Sequence, residues 1–166
     1  ARNRCVLGFT PEGALRQTFH SPADAEGQAG FLVPSPYFDL AAGQGRTLWV
    51  VNPGRLRLEE YSFEGEFIGA WPEQAGMHIE AFCGCCNPAH IASLPDGGLA
   101  TAEKGIPRIK VYSRRGAFRG VVAPPQLFEG FDLGFDLAAD AGGRILVADP
   151  FQRQVRVFMR RSGDTP

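Results

Sequence analysis

Apolar and polar residues alternate along this chain in short runs, and no sustained window shows the three- and four-residue apolar spacing of an amphipathic helix. The runs are rich in β-branched and aromatic residues and are separated by turns with glycine or proline. Such a pattern is typical of short β-strands. Three of the runs end in a polar residue: Leu48–Asn52, Leu99–Glu103 and Ile145–Asp149. The pattern predicts an all-β protein.

An aromatic residue follows each of these polar residues after the same interval, at Tyr61, Tyr112 and Phe158. A turn and a second strand fill the interval, so each unit is predicted to contain an antiparallel hairpin. A glycine turn and a further strand come next, and an innermost strand precedes each unit. The sequence FDLAA occupies this innermost position at 38–42 and again at 135–139. Four strands per repeating unit predict the blades of a β-propeller.

The repeat predicts a single propeller segment over residues 1–166 with two complete blades, at about 35–71 and 87–122. Partial blades are predicted at about 1–20 and 133–160. The aromatic residues at the fixed repeat position, with Phe9 as the equivalent in the first partial blade, are expected in the core between blades. Closed propellers usually have at least four blades. We therefore expect a partial ring that is completed by a protein partner, by a second copy, or by residues outside this sequence.

The segment from Pro88 to Tyr112 resembles a blade of the NHL-repeat family of β-propellers. It has the initial proline, a short apolar strand, the turn Pro95-Asp96-Gly97-Gly98, a strand that ends in an acidic residue and a strand that ends in an aromatic one. The resemblance extends over nearly the whole chain and implies the propeller fold. It implies no single activity, because such blades serve enzymes, scaffolds and RNA-binding proteins. The stretch CGCCNP at 83–88 lies outside the general repeat and resembles a feature of a bacterial subset.

The composition indicates which classes of partner to expect. The 166 residues are 44% hydrophobic with a net charge of −1, which indicates a globular domain with its own core. We expect no membrane span, since there is no long apolar run. We expect no nucleic acid partner, because no block of basic residues occurs and acidic residues stand on the predicted ligand-bearing face. An exported location, periplasmic or extracellular, is favoured over a cytoplasmic one.

Three of the four cysteines stand together at Cys83, Cys85 and Cys86. One interpretation is a metal ion or iron–sulfur cluster bound by these three thiols, with His90 and Cys5 as candidate fourth ligands. A second is a disulfide, for example to Cys5 or to a partner; a bond between Cys85 and Cys86 is disfavoured because adjacent residues do not easily reach relaxed disulfide geometry. A third is inert buried cysteines. The spacing does not match a CxxCH haem site, because Asn87 follows Cys86.

A second group of candidate ligands follows from the repeat register. Asp39, His90 and Asp136 stand at the same distance before the three strand-ending polar residues, one on each innermost strand. They are predicted to ring the central channel near its mouth. Oxygen and imidazole groups that converge on an axis can hold a cation or a water cluster. The alternative is that they are simply solvated channel-lining groups.

Other charged residues are expected to be structural. We expect Glu103 and Lys104 to form a salt-bridged turn. Four arginines of the third and fourth strands and of the turn between them are expected to be solvated on the blade surface: Arg108, Arg114, Arg115 and Arg119.

No nucleophile elbow, phosphate-binding loop or HExxH motif is present in the sequence. This pattern favours a non-enzymatic binding or assembly propeller, a subunit or module of a larger complex, with a cysteine-rich metal or redox site on one face. The alternative is a metal-dependent enzyme that uses the cysteine and histidine cluster at the mouth of the channel.

Overall fold

The structure is a computed structural model, and it describes residues 4–72, 76, 78–130 and 134–159. The described part contains thirteen strands and two single-turn 3-10 helices, Pro53–Arg55 and Pro125–Leu127. No helix in it is long and apolar enough to cross a membrane. The predicted outer limits of the partial blades, at residues 1, 133 and 160, lie outside the described residues.

The strands form four antiparallel sheets, each made of consecutive strands. The first sheet contains β1 (Val6–Phe9) and β2 (Leu15–Phe19). The second contains β3 (Leu40–Ala42), β4 (Thr47–Asn52), β5 (Arg57–Ser62) and β6 (Phe67–Trp71). The third contains β7 (His90–Ser93), β8 (Leu99–Glu103), β9 (Arg108–Tyr112) and β10 (Phe118–Ala123). The fourth contains β11 (Asp136–Ala139), β12 (Ile145–Asp149) and β13 (Gln154–Phe158). The predicted all-β architecture, with two complete four-stranded units between two partial ones, is confirmed.

An Asp-Gly turn sets the hairpin between β7 and β8. In the turn between β7 and β8, the Asp96 carboxylate accepts a hydrogen bond from the Gly98 N–H at 2.9 Å. Gly97 between them has φ +82°, in the left-handed region that glycine adopts without steric cost. The turn therefore fixes the register in which Ser93 pairs with Leu99.

The innermost strands of the last three sheets, β3, β7 and β11, are neighbours in space. The Ser93 hydroxyl of β7 donates to the Ala42 carbonyl of β3, which ties two of these strands together. A separate apolar core fills each space between consecutive sheets. Its members include Val6, Phe19 and Tyr61 between the first two sheets, Trp49, Leu58 and Tyr112 between the second and third, and Ile109, Phe135 and Val147 between the third and fourth.

The fixed aromatic positions behave as expected in the complete units. Tyr61 and Tyr112 are fully buried, and each ring packs against an aromatic of the preceding sheet: Tyr61 on Phe19 at 4.7 Å and Tyr112 on Trp71 at 4.8 Å between centroids. The expectation is wrong for Phe9, which is 58% exposed. No sheet precedes β1 in the described residues, so the Phe9 ring has no preceding sheet on which to pack.

Candidate metal centre and cysteine loop

Asp39, His90 and Asp136 hold equivalent positions in the three innermost strands. Asp39 directly precedes β3, while His90 and Asp136 are the first residues of β7 and β11. Because these strands lie side by side, equivalent positions on them meet at one end of the shared axis. The structure thus brings together the three side chains that the repeat register predicts.

The ligand atoms of the three side chains all lie within 4.8 Å of one another. His90 Nδ1 is 3.3 Å from Asp39 Oδ2 and 3.7 Å from Asp136 Oδ1. Bonds of about 2.0–2.2 Å to a tetrahedral metal ion require its ligand atoms to be about 3.3–3.6 Å apart. The two distances from the imidazole are therefore close to those of a metal site, while the group as a whole extends to at most 4.8 Å and would have to contract around an ion.

Backbone hydrogen bonds aim the two carboxylates. The Asp39 carboxylate accepts the Ile91 N–H of the next sheet at 2.9 Å and the Leu40 N–H at 2.8 Å. Asp136 accepts the Leu137 N–H at 2.8 Å in the same way. Burial acts to raise the pKa of Asp39, but hydrogen bonds from His90 and from these two backbone groups outweigh it and hold that pKa below its ordinary value. The Asp39 carboxyl group therefore carries a negative charge at neutral pH.

The cluster is enclosed on one side and open on the other. The His90 and Asp39 side chains are only 20% and 27% exposed, whereas the Asp136 side chain is 75% exposed. An ion bound here would be reached from solvent past Asp136.

Tyr37 holds the imidazole in place from the side. Its ring stands edge-on to the His90 ring with centroids 5.3 Å apart, and its hydroxyl accepts the Gly134 N–H at 3.1 Å. A Cβ at Gly134 would lie 3.0 Å from His90 Cδ2, so the glycine is needed for this close approach. The sequence repeat does not point to Tyr37, because this residue stands before the strand, where the repeat imposes no residue type.

The cysteine stretch forms a loop that is pinned at both ends. Phe82 is fully buried and packs against Tyr112, with centroids 5.6 Å apart. At the other end, the Asn87 amide donates to the carbonyls of Cys83 and Lys104 at 2.8 and 3.0 Å and accepts the Lys104 N–H at 2.9 Å. These bonds attach the loop to the turn between β8 and β9.

The thiols occupy different surroundings within this loop. Cys85 is exposed and Cys86 is buried, yet their Sγ atoms are only 2.7 Å apart. Cys83 Sγ instead accepts a hydrogen bond from the Arg108 guanidinium at 3.5 Å. Cys5 directly precedes β1, the first strand of the first sheet. In the part of the chain that the structure describes, the thiols are free and do not join the three-ligand group of His90. Metal binding by Cys83, Cys85, Cys86, His90 and Cys5 stays a prediction.

Lys104 lies near both the cysteine loop and the cluster of Asp39, His90 and Asp136. Its ammonium lies 5.9 Å from the centroid of the Tyr37 ring, the same ring that flanks His90. Its positive charge also favours the thiolate of Cys86. Burial is the larger effect there and, with the neighbouring thiol of Cys85, raises the pKa of Cys86. The loop and the ligand cluster are therefore on the same end of the sheets.

Glu103 is not part of a solvated turn. Its carboxylate is 1% exposed and pairs with Arg108 and with Lys110, whose ammonium is 3.1 Å away. Lys110 is fully buried and also donates to the Ile79 and Ala81 carbonyls at 3.0 and 2.8 Å. The expected salt bridge between Glu103 and Lys104 is therefore wrong, because Glu103 pairs with Arg108 and Lys110 instead.

The expectation of a solvated Arg108 is wrong as well, since this residue is only 9% exposed. The turn between β8 and β9 folds the guanidinium back onto the Glu103 carboxylate.

These buried charges occupy one fixed position of the sequence repeat. A charged residue follows each strand-ending polar residue after the same interval, at Glu59, Lys110 and Arg156. Glu59 is fully buried and bonded to Asn52, Ser21 and Arg57, and Arg156 lies 3.7 Å from Asp149. Each complete unit thus buries a charged group beside a polar partner at this position.

Comparison with known proteins gives the fold. No family model and no curated protein matches this sequence. Solved structures do match, among them the WD40 β-propeller domain of Doa1, at 14% identity over 90% of this chain and 42% of that one, with a TM-score of 0.54. Selenomethionine-substituted virginiamycin B lyase from Staphylococcus aureus matches at 10% identity over 96% of this chain and 64% of that one, with a TM-score of 0.50.

This chain has the fold of a β-propeller segment. It spans less than two thirds of the length of either solved structure. At such low identity the likeness concerns the fold, and the chemistry has to be argued from the residues themselves.

Proposed function

We propose that this propeller segment is a metal-dependent binding module in which Asp39, His90 and Asp136 hold one divalent transition-metal ion. The observation that carries the proposal is the convergence of their three ligand atoms within 4.8 Å at equivalent positions of three consecutive sheets. An NHL-type propeller is the finer assignment that we propose, on the strength of the repeat register.

The ligand set indicates the kind of ion. One imidazole and two carboxylates suit Zn²⁺, Mn²⁺ or Fe²⁺. Ca²⁺ takes six to eight oxygen ligands and is a poor match for a set that includes His90. Zn²⁺ is the first probe, since it accepts nitrogen and oxygen ligands in a site with three protein groups.

The open side of the cluster defines what the module binds. Three protein ligands leave at least one coordination position, and the exposure of Asp136 directs that position to solvent. Water or an oxygen ligand of a partner, such as a carboxylate, would complete the shell. We propose binding rather than catalysis, because no catalytic motif stands in the sequence; catalysis at the same open position is the alternative.

We also propose that a further propeller blade covers the outer face of the fourth sheet. Ile109 of β9 and Leu58 of β5 are fully buried against the sheet that follows them. Val155 of β13 stands at the equivalent position, and it is 62% exposed. A blade from a partner, from a second copy or from a longer chain would bury this face as the internal ones are buried.

Isothermal titration with Zn²⁺ tests the metal proposal. His90→Ala removes a ligand and Asp136→Asn removes the charge of another, and each is expected to weaken binding at least about 10-fold. His20→Ala and Glu66→Gln change exposed residues outside the cluster and serve as matched controls with unchanged binding. A variant with Cys83, Cys85 and Cys86 changed to Ser should retain the site. Wild-type affinity in His90→Ala would refute the proposal.

A further inference from the structure

Cys85 and Cys86 are in close contact outside the cluster of Asp39, His90 and Asp136. Their Sγ atoms are 2.7 Å apart, against about 2.05 Å for a covalent disulfide. In an extended strand, successive side chains point to opposite sides, so this contact requires an unusual backbone. Cys86 has φ +69° and Gly84 has φ +79°, and these two left-handed residues fold the loop so that both sulfurs face each other.

The surroundings of the loop hold this geometry in place. Asn87 is nearly fully buried, and its three hydrogen bonds fix the backbone immediately after Cys86. Cys83 is engaged by the Arg108 guanidinium, which is itself paired with Glu103. Two of the three loop thiols are thus placed together while the third is occupied elsewhere.

We propose that Cys85 and Cys86 form a reversible dithiol/disulfide couple that exchanges two electrons with disulfide-containing partners. Exposed Cys85 is the attacking thiol. Its thiolate attacks one sulfur of the partner disulfide, forms a mixed disulfide and releases the first partner thiol. The Cys86 thiolate then attacks Cys85 Sγ, closes the intramolecular disulfide and releases the second partner thiol. Two protein thiols are oxidised and one partner disulfide is reduced to two thiols.

The oxidation of Cys85 and Cys86 to a disulfide should be readily reversed. Adjacent Cα atoms are about 3.8 Å apart, whereas disulfide-bonded Cα atoms are usually about 4.4–6.8 Å apart. The closed ring is therefore strained, and strained disulfides are easily reduced. Such a bond suits a transient redox step better than a permanent structural link.

Oxidised glutathione is the probe, with the full 166-residue chain in the reduced state as the starting material. The expected product has lost two hydrogens and carries no glutathione. After blocking free thiols and tryptic digestion, this loss should fall within the single peptide Leu58–Lys104, while the Cys5 peptide is alkylated. Excess dithiothreitol should restore four titratable thiols.

Single variants separate the roles. Cys83→Ser is the matched control and should still form the disulfide. Cys86→Ser removes the resolving thiol, so the glutathione mixed disulfide on Cys85 should accumulate. In Cys85→Ser the buried thiol should react at least about tenfold more slowly. The proposal is overturned if wild-type protein accumulates only the mixed disulfide, if Cys83→Ser abolishes closure, or if Cys85→Ser still closes. None of these readouts depends on metal binding at Asp39, His90 and Asp136.

Discussion

Lys110 places an ammonium group in the core between two sheets. Its charge is balanced by Glu103 and by two backbone carbonyls, and the Phe82 ring lies 4.7 Å from its Nζ. Burial lowers the pKa of Lys110, although Glu103 opposes this effect. A buried ion pair adds little net stability, yet removal of one partner leaves an uncompensated charge.

Glu103→Gln should therefore destabilise the fold by about 3–5 kcal/mol. Lys110→Met in the same chain should recover part of that loss, because the stranded ammonium is then gone. Urea denaturation of the two single variants and the double variant, followed by tryptophan fluorescence, measures the coupling. If the stability losses of the two single variants sum to that of the double variant within about 0.5 kcal/mol, the two groups do not depend on each other.

We expect the folded protein to lose stability at alkaline pH because of Tyr61 and Tyr112. Burial is the main cause that raises the pKa of each phenol above its ordinary value of 10.0, and neighbouring Glu59 and Glu103 add to it. Above about pH 10 the unfolded chain releases these protons while the folded protein keeps them, so stability falls as pH rises. The slope is about 1.4 kcal/mol per pH unit for each phenol.

Tyr112→Phe should remove about one such contribution from the slope of unfolding free energy between pH 10 and 11. Lys110 acts in the opposite direction below its ordinary pKa of 10.5, but it is present in both proteins, so the difference isolates the phenol. An identical slope in the variant would contradict the role of Tyr112.

At the residue scale, the sequence predicts side chains whose position follows the repeat. Asp39, His90 and Asp136 were found from register alone, because equivalent positions on adjacent strands must meet. The approach of the Cys85 and Cys86 sulfurs does not follow from residue type, because it depends on the left-handed conformation of Cys86. Burial of the charge at Lys110 becomes visible in the sequence only when the three repeats are aligned, because Glu59 and Arg156 then stand at the same position.

At the element scale, the last hairpin turn of each complete sheet packs on an aromatic ring of the preceding sheet. A Cβ at Gly65 would lie 3.0 Å from Phe19, and a Cβ at Gly116 would lie 2.8 Å from Trp71. Both glycines have positive φ, at +89° and +81°. The turn thus carries two separate requirements for glycine, one conformational and one steric.

Gly116→Ala and Gly143→Ala separate these requirements. Gly143 has a similar φ of +78°, but a Cβ there would meet no atom within 4 Å. Gly143→Ala should cost about 1–2 kcal/mol for the conformation alone. Gly116→Ala should cost about 1–3 kcal/mol more, because the rigid Trp71 ring has to move. Equal losses in thermal or urea unfolding would show that the contact with Trp71 carries no energy.

At the scale of the whole molecule, the fold was predictable and its closure was not. The recurring aromatic interval and the repeated FDLAA segment predict repeated four-stranded units. Equivalent positions of such units have the same packing requirements, and the same residue types therefore recur there. How the outer faces are covered depends on surfaces beyond those units. Val155 and Val157 of β13 are 62% and 52% exposed, on a face that no later sheet covers within the residues up to 159 that the structure describes.

The isolated chain should therefore self-associate through this face. Val155→Ser together with Val157→Ser should lower the apparent mass in size-exclusion chromatography with light scattering. Ile68→Ser together with Val121→Ser, on the outer strands β6 and β10, is the matched control and should change it little. A wild-type chain that stays monomeric at all concentrations would contradict this account of the exposed face.

X-ray absorption spectroscopy of the protein loaded with one equivalent of Zn²⁺ tests the metal centre most directly, because it reports which atoms bind the ion. The account predicts a first shell of nitrogen and oxygen only, at about 2.0–2.2 Å, which is lost in His90→Ala. A sulfur shell at about 2.3 Å would assign the ion to the cysteine loop and contradict the site at Asp39, His90 and Asp136.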